Sequence, residues 1–342
     1  MTSNVHTIDA EKLAHYLEAK IADFAGPLTA EKFADGQSNP TYLLTAASGQ
    51  YVLRRKPPGV LLPSAHAVDR EYRVLKALEN TDVPVAQAYH LCEDDSIIGS
   101  MFYVMSFEAG NIFWDPSLPE FSKTERGAIY EEIIRVMAAM HSVDLDAVGL
   151  ADYGKPGNYF ERQISRWSKQ YRASETDVIP SMDKLMDWLA AHLPSDDCEA
   201  CLIHGDYRLD NLMLHEKDNR IIAVLDWELS TLGNPLADLA YFCMGLRLPK
   251  TAHSNGLAGM DRDALGIPSE KAIVAQYCQL RGVAKIEHWH FYLAFSYFRL
   301  AAIAQGVYKR SQGGNASNKN AAMLGEMVQV LSTMAMALVE ER

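Results

Sequence analysis

Two short apolar runs near the middle of the chain each end on an acid, and that pairing restricts the fold more than any other feature. Cys201-Leu202-Ile203 delivers His204, Gly205 and Asp206, with Asn211 five positions after Asp206. A second run, residues 221–225, delivers Asp226. Apolar runs this short, bounded by polar and glycine-bearing segments, read as buried strands. Two strands that each present a carboxylate, with a side-chain amide between them, suit a site that holds a metal and accepts a proton.

Composition narrows the possibilities. The 342 residues are enough for two domains or one large two-lobed unit, and 48% hydrophobic residues allow a substantial core. A net charge of −12 argues against nucleic acid as a partner, because such binding rests on neutralising phosphates with Lys and Arg. The N-terminal residues lack the basic region and apolar core of a secretory signal. The most apolar window, residues 291–307, contains Arg299 and is short for a bilayer span, so it is expected to be a buried helix and no membrane partner is expected. Five cysteines without framework spacing point to reduced thiols and a cytoplasmic location, and Cys198-Glu-Ala-Cys201 reads as incidental.

Taken in order, the chain changes texture once. Asp9 caps a first helix bearing Leu13, Leu17 and Ile21 on one stripe. Residues 28–33, 41–46 and 50–55 read as strands, then 65–78 as a helix, and 88–91 and 101–105 as two more strands. On the third strand Arg54 and Lys56 share one face and Arg55 takes the other, where it is expected to be solvated. Residues 106–110 read as an irregular connector. Beyond it the pattern is helical, opened by the capping box Ser122-Lys-Thr-Glu125. Further helices are expected at 158–172, 182–193, from Asn234-Pro235 through 242, at 269–280, at 287–304 and at the C-terminus. In the last of these Met323, Met327, Val330 and Met334 form a stripe expected to pack into the core. The expected fold is α+β and two-lobed: a small antiparallel β lobe, residues 1–107, and a larger, mainly helical lobe, residues 108–342.

The spacing His204-x-Asp206-x4-Asn211, followed by Asp226, is that of a kinase catalytic loop and its metal aspartate. Phosphoryl transfer needs a carboxylate within hydrogen-bond reach of the attacking hydroxyl, the part Asp206 would play. It also needs Mg²⁺ clamped to phosphate by hard oxygen ligands, which Asn211 and Asp226 can supply. Arg208 is placed to lie against the transferring phosphate. The small polar loop Asp35-Gly36-Gln37-Ser38-Asn39-Pro40 could bring backbone N–H groups close to phosphates, or be a plain hairpin loop.

The runs His-Gly-Asp-Tyr-Arg-Leu-Asp-Asn and Leu-Asp-Trp-Glu resemble the aminoglycoside phosphotransferase and choline kinase superfamily, which shares the protein-kinase fold. The resemblance covers essentially the whole chain. Gly36-Gln37-Ser38-Asn39-Pro40-Thr41, Val52-Leu53-Arg54-Arg55-Lys56-Pro57-Pro58, Phe102-Tyr103-Val104-Met105 and residues 292–310 are similar to one branch. That branch is the phosphotransferase domain found ahead of acyl-CoA dehydrogenase domains, together with its free-standing bacterial relatives. The resemblance implies ATP and Mg²⁺ as cofactors, Asp206 as base, and Asn211 and Asp226 as metal ligands, with Glu228 a second acid near the metal. It implies that Arg54, in place of the usual Lys, meets phosphate and pairs with Glu71. Lys56 on the same face could share or take that role. Ser106, Phe107 and Glu108 would be the adenine-binding hinge, and Asp238 a buried acid that ties down the catalytic loop.

The branch implies a small-molecule acceptor, a hydroxyl on an acyl-CoA, and a functional link to an acyl-CoA dehydrogenase. Arg162, Arg166, Arg299, Lys309 and Arg310 lie in the half that would have to hold such an anion, or are simply exposed helix charges. The alternative acceptor is an aminoglycoside or choline-like amino alcohol, which would want acids such as Asp261 and Asp263 together with Tyr308. A catalytically silent kinase fold used for binding would be expected to lose Asp206, Asn211 or Asp226, and all three are present.

Overall fold

The computed structural model describes residues 8–33, 39–57, 66–195, 199–251, 254–312 and 323–340. In chain order its elements are α1 (Ala10–Glu18), β1 (Leu28–Lys32), β2 (Thr41–Ala46), β3 (Gly49–Arg55), α2 (Val68–Leu78), β4 (Ala88–Cys92), β5 (Phe102–Ser106) and β6 (Gly110–Ile112). They continue with α3 (Lys123–His141), α4 (Tyr159–Ser174), α5 (Pro180–Ala191), β7 (Cys201–Ile203), β8 (Leu212–His215), β9 (Ile221–Val224) and β10 (Thr231–Gly233). The chain ends with α6 (Leu236–Arg247), α7 (Arg262–Leu265), α8 (Glu270–Arg281), α9 (Trp289–Gln312) and α10 (Met323–Glu340). By compactness it divides into two units. One comprises Met1–Ile112, Asp144–Leu150 and Asp210–Ser230; the other comprises Phe113–Val143, Ala151–Leu209 and Thr231–Arg342.

The first unit is built on a five-stranded antiparallel sheet in the order β1-β2-β3-β5-β4. Asp9 Oδ1 accepts from Lys12 N at 3.1 Å and starts α1, whose Leu13 and Leu17 join Tyr42, Leu44, Tyr51, Leu53, Phe102 and Val104 in one core cluster. α2 packs against β4 and β5 and buries Val68, Glu71, Val74, Leu75 and Leu78. Period-2 alternation therefore sends Leu53 and Arg55 of β3 to the α1 side, and Arg54 to the α2 side opposite Tyr103. Both faces of this sheet are covered, which corrects the reading of Arg55 as solvated: it is 3% exposed. Its Nε donates to Ser100 Oγ at 2.9 Å and its guanidinium also meets the Tyr42 hydroxyl. Alternation identified the face and not its exposure.

A second, three-stranded sheet runs β6-β8-β9. The expected connector thus becomes a strand at Gly110–Ile112, and only glycine fits where it starts. A Cβ on Gly110 would lie 2.6 Å from Met213 Cγ and 2.7 Å from the Leu214 carbonyl oxygen.

The second unit is helical apart from the two-stranded β7-β10 ladder, in which Thr231 pairs with Ile203 and Gly233 with Cys201. α9 packs against α4, α5, α6 and α10 and buries Phe291, Phe295, Phe298 and Arg299, as its apolar composition demands. α3 begins at the expected capping box, with both the Ser122 and the Glu125 side-chain bonds in place. The methionine stripe of α10 is corrected. The buried positions there are Val328, Leu331, Ser332, Ala335 and Val339, while Val330 is 50% exposed and Met327 and Met334 are half-buried. α10 thus lays down a face rotated from Met327 and Met334, which sit at its flank, while the Met323 side chain lies outside what is described. Among the described residues no helix is long and apolar enough to cross a membrane.

Candidate active site

In the second unit, β7 is fully apolar and buried, so it ends as a rigid support for the loop that follows. Gly205 has φ 82°, a left-handed turn that a Cβ would disfavour, and it aims Asp206 out of the strand line. Asp238, in the first turn of α6 and 1% exposed, accepts from His204 N at 2.6 Å and from Gly205 N at 2.8 Å. It also takes a bond from His141 Nε2 at 3.3 Å, which leaves His141 Nδ1 to accept from the Tyr277 hydroxyl at 2.8 Å. Burial would raise the Asp238 carboxyl, but the His141 ring, and His204 through its ring and its backbone N–H, hold it below the usual carboxylate range. Burial lowers His141, so the pair is an ionised acid against a neutral imidazole. The loop is pinned twice more. Tyr207 Oη donates to the Ile133 carbonyl at 2.8 Å, and Arg299 Nη2 donates to the Gly205 carbonyl at 2.5 Å.

Tyr241 lies one turn beyond Asp238 on α6 and hydrogen-bonds Asp206 through its hydroxyl. Burial, then the Asp206 charge, pushes the Tyr241 hydroxyl above its ordinary range, so it remains a donor. The Arg299 guanidinium sits 5.5 Å over the Tyr241 ring and 5.8 Å over that of Trp167. Arg208 is exposed and its charge reaches the same tyrosine. Removing the one hydroxyl, Tyr241→Phe, is expected to lower kcat about tenfold with the KM for ATP unchanged. A steady-state comparison of both constants checks it.

In the first unit the acids gather around α2 and the segment 210–230. Leu225 N donates to the Asn211 carbonyl at 2.8 Å, which draws the backbone before Asp226 beside Asn211. Asp226 adopts φ 60°, ψ 61°, a left-handed conformation uncommon for a residue with a side chain and a frequent mark of functional sites. It opens a 3₁₀ turn, Trp227–Leu229, whose Trp227 is buried and donates Nε1 to the Val224 carbonyl at 3.0 Å. Asp226 and Glu228 therefore flank an anchored indole. Arg54 Nε lies 2.9 Å from Glu71 Oε2, an ion-pair contact rather than a well-angled hydrogen bond, and its Nη2 bonds the Asp226 carboxylate.

Glu71 is 1% exposed and accepts from Asn39 Nδ2 at 2.8 Å and from Tyr103 Oη at 3.2 Å. Burial raises its carboxyl to about 7; Arg54 opposes this, and the charges of Asp226 and Glu228 reinforce it. In the unfolded chain the group titrates near 4.5, so the Glu71 contribution to stability is fully present below that value and is lost as pH rises through about 7. Glu71→Gln is expected to remove this slope; melting temperatures of both proteins from about pH 5 to about pH 8 check it.

Gly36, Gln37 and Ser38 lie outside the described residues. The Asn39 side chain is committed to Glu71 and to His66, whose Nδ1 is 3.0 Å from Asn39 Oδ1. Lys56 Nζ is 3.6 Å from Asp69. Ser106 ends β5 and Phe107 and Glu108 follow it, all three half-buried, with Ser106 Oγ donating to Glu108 Oε1 at 2.5 Å and accepting from Gln87 N at 2.9 Å. Arg299, grouped by sequence with cations available to an acceptor, is 7% exposed and spent on the Gly205 carbonyl. Its signal was present: a single cation in an apolar helix is buried with partners more often than it is free. Tyr241 went unnoticed, although its i, i+3 relation to Asp238 puts both on one face of α6. Among the described residues no three His, Cys, Asp or Glu side chains converge as a metal cluster.

This geometry can be set beside known proteins. The model of the APH phosphotransferase enzyme family matches residues 29–268. The chain belongs to this family. It is a small-molecule kinase, a phosphotransferase with an alcohol group as acceptor. The phosphotransferase is 47% identical over 330 residues to acyl-CoA dehydrogenase family member 10 of Mus musculus, covering 96% of the chain and 31% of the relative. It is 43% identical over 338 residues to family member 11 of Rattus norvegicus, covering 97% of the chain and 43% of the relative. The phosphotransferase thus spans less than half the length of these curated relatives. A solved protein of Ralstonia eutropha JMP134, assigned provisionally as an aminoglycoside phosphotransferase, is 49% identical with a TM-score of 0.91 over 98% of this chain and 99% of that one. A thermostable mutant of aminoglycoside phosphotransferase APH(4)-Ia, in a ternary complex with AMP-PNP and hygromycin B, has a TM-score of 0.62 over 97% of this chain and 100% of that one. At 15% identity the latter likeness shows the fold alone: the kinase-like, two-lobed α+β architecture expected from the sequence.

Proposed function

We propose that this phosphotransferase moves the γ-phosphate of ATP, with Mg²⁺, onto a hydroxyl of an acyl-CoA. The observation that carries the reading is the setting of Asp206. Its carboxylate receives the Tyr241 hydroxyl, while Asp238 and Arg299 hold the backbone that bears it. A carboxylate held in place by its loop is what an attacking hydroxyl needs. As the acceptor oxygen bonds to the γ-phosphorus and the bond to the bridging oxygen breaks, Asp206 takes the hydroxyl proton and ADP leaves. Arg208 beside this loop would meet the transferring phosphoryl group.

The residues of the first unit fit a cation. Asn211, Asp226 and Glu228 offer hard oxygen donors, and the charges of the last two add to the burial that chiefly raises Glu71. Mg²⁺ is ordinarily held by one or two carboxylates plus substrate phosphates, so a three-acid cluster is not required. When bound there it would draw charge from the phosphate oxygens. Arg54, now against Asp226, would hand its outer nitrogen to phosphate while Glu71 keeps the inner one, and Lys56 would be the auxiliary cation. Gly36, Gln37, Ser38 and Asn39 would cover the phosphates, and backbone groups of Ser106, Phe107 and Glu108 would take adenine.

The acyl-CoA acceptor is supported by the names of the relatives, family members 10 and 11 of the acyl-CoA dehydrogenases. Phosphate is a far better leaving group than hydroxide, which gives such a transfer a purpose beside a dehydrogenase. The free thiols of Cys92, Cys201, Cys243 and Cys278 support a reducing, cytoplasmic setting. The test is incubation with ATP, Mg²⁺ and a panel of hydroxyacyl-CoAs, free hydroxy acids, aminoglycosides and choline, read by mass spectrometry for the added phosphate. Transfer to a CoA ester is expected. Transfer to an amino alcohol and to no CoA ester would overturn the acceptor assignment.

A further inference from the structure

We propose that one face of α4 is an anion site that seats the phosphate groups of the acceptor, through Arg162, Arg166 and Lys169. The inference deepens the acyl-CoA reading above and rests on it for the identity of the anion. Residues at i, i+4 and i+7 stand on one side of a helix, so the three cations form a single stripe. They line an open groove of about 870 Å³ in the second unit, whose other walls are Pro156, Gly157, Asn158, Ser165 and Gln170 with one acid, Glu161. That volume lies within the range of small-molecule sites.

Among the described residues none of the three pairs with an acid. Arg162 donates to the carbonyls of Lys155 at 2.7 Å and Pro156 at 3.4 Å, and Arg166 stacks at 5.6 Å on Trp167. The contrast within the same helix is informative, because Arg172 is compensated by Glu175 at 3.1 Å and Asp183 at 2.7 Å. In a chain of net charge −12, acids to neutralise the stripe are plentiful, yet it is left bare. Three like charges on one helix face cost repulsion that a bound polyanion would remove.

The stripe also connects to the proposed base. Trp167 carries Arg166 at 5.6 Å and Arg299 at 5.8 Å, and Arg299 donates to the carbonyl of Gly205, the neighbour of Asp206. An acceptor with its hydroxyl at Asp206 and phosphates on α4 would run along that indole. A polycationic acceptor would be repelled by the same stripe.

The experiment measures free coenzyme A binding by calorimetry, with AMP-PNP saturating the nucleotide site, for the wild type and for Arg166→Gln/Lys169→Gln. Arg162 is left in place because its carbonyl bonds hold the preceding loop, and the melting temperature verifies that the double variant is folded. The Kd is expected to rise about tenfold or more in the variant, with a shallower salt dependence. An unchanged Kd, or a wild type that binds no coenzyme A at millimolar concentration, overturns the site. The acceptor reading fails separately. If no CoA ester is phosphorylated yet binding depends on the two charges, the anion site stands without that reading. If CoA esters are phosphorylated and the variant leaves their KM unmoved, the reading stands and the site falls.

Discussion

Asp206→Asn is expected to reduce turnover by about 10²–10⁴-fold while ATP binding is kept. The substitution is nearly isosteric, and the asparagine oxygen can still accept from Tyr241. The loop is held by groups other than the Asp206 side chain: Asp238 on two backbone N–H groups, Arg299 on the Gly205 carbonyl, and Tyr207 on Ile133. Geometry is therefore retained and only the capacity to take a proton is lost. Single-turnover phosphoryl transfer alongside calorimetric ATP binding separates the two effects. Undiminished transfer would show that Asp206 is not the base.

Asp238→Ala is expected to act through the fold instead. It strips the acceptor from two buried N–H groups and from His141, and leaves a hole at the start of α6. A loss of about 3–5 kcal/mol is expected, since buried donors left without partners each cost about 1–3 kcal/mol. Activity is expected to fall with it because His204 and Gly205 are released next to the proposed base, Asp206. Stability also acquires a pH signature. The folded pKa of Asp238 is depressed, so its contribution is present above the unfolded carboxylate value and is lost as pH falls through the folded one. Urea unfolding of wild type and variant at neutral and acidic pH checks this. A loss below about 1 kcal/mol at neutral pH would mean that the loop is held chiefly by Arg299 and Tyr207.

Much of this architecture was legible in the chain. The β lobe declared itself through period-2 runs broken at turns, and α3 through its capping box at Ser122. Asp206, Asn211 and Asp226 stood out because two carboxylates and an amide stand at set spacings, and Arg54 met Glu71 as the resemblance implied. What stayed hidden depended on which faces the fold covers. Arg55 and Arg299 carry charge on elements buried on every side, where local pattern gives direction but not environment. Val328, Leu331 and Ala335 outcompeted the methionines of α10 because packing against α9 set that helix's rotation. Tyr241 is one of 16 tyrosines in the chain, and only the fold shows which of them reaches Asp206.

Arg299 carries a lesson for anyone who would shorten this protein. The family match ends at residue 268, and a fragment cut there would retain every group assigned to chemistry. It would forfeit the guanidinium on the Gly205 carbonyl and bare the surfaces of α4 and α6 that α9 covers. The support of the loop at Gly205 therefore comes from a helix that lies wholly outside the family match, and a fragment chosen by that match alone is expected to lose it.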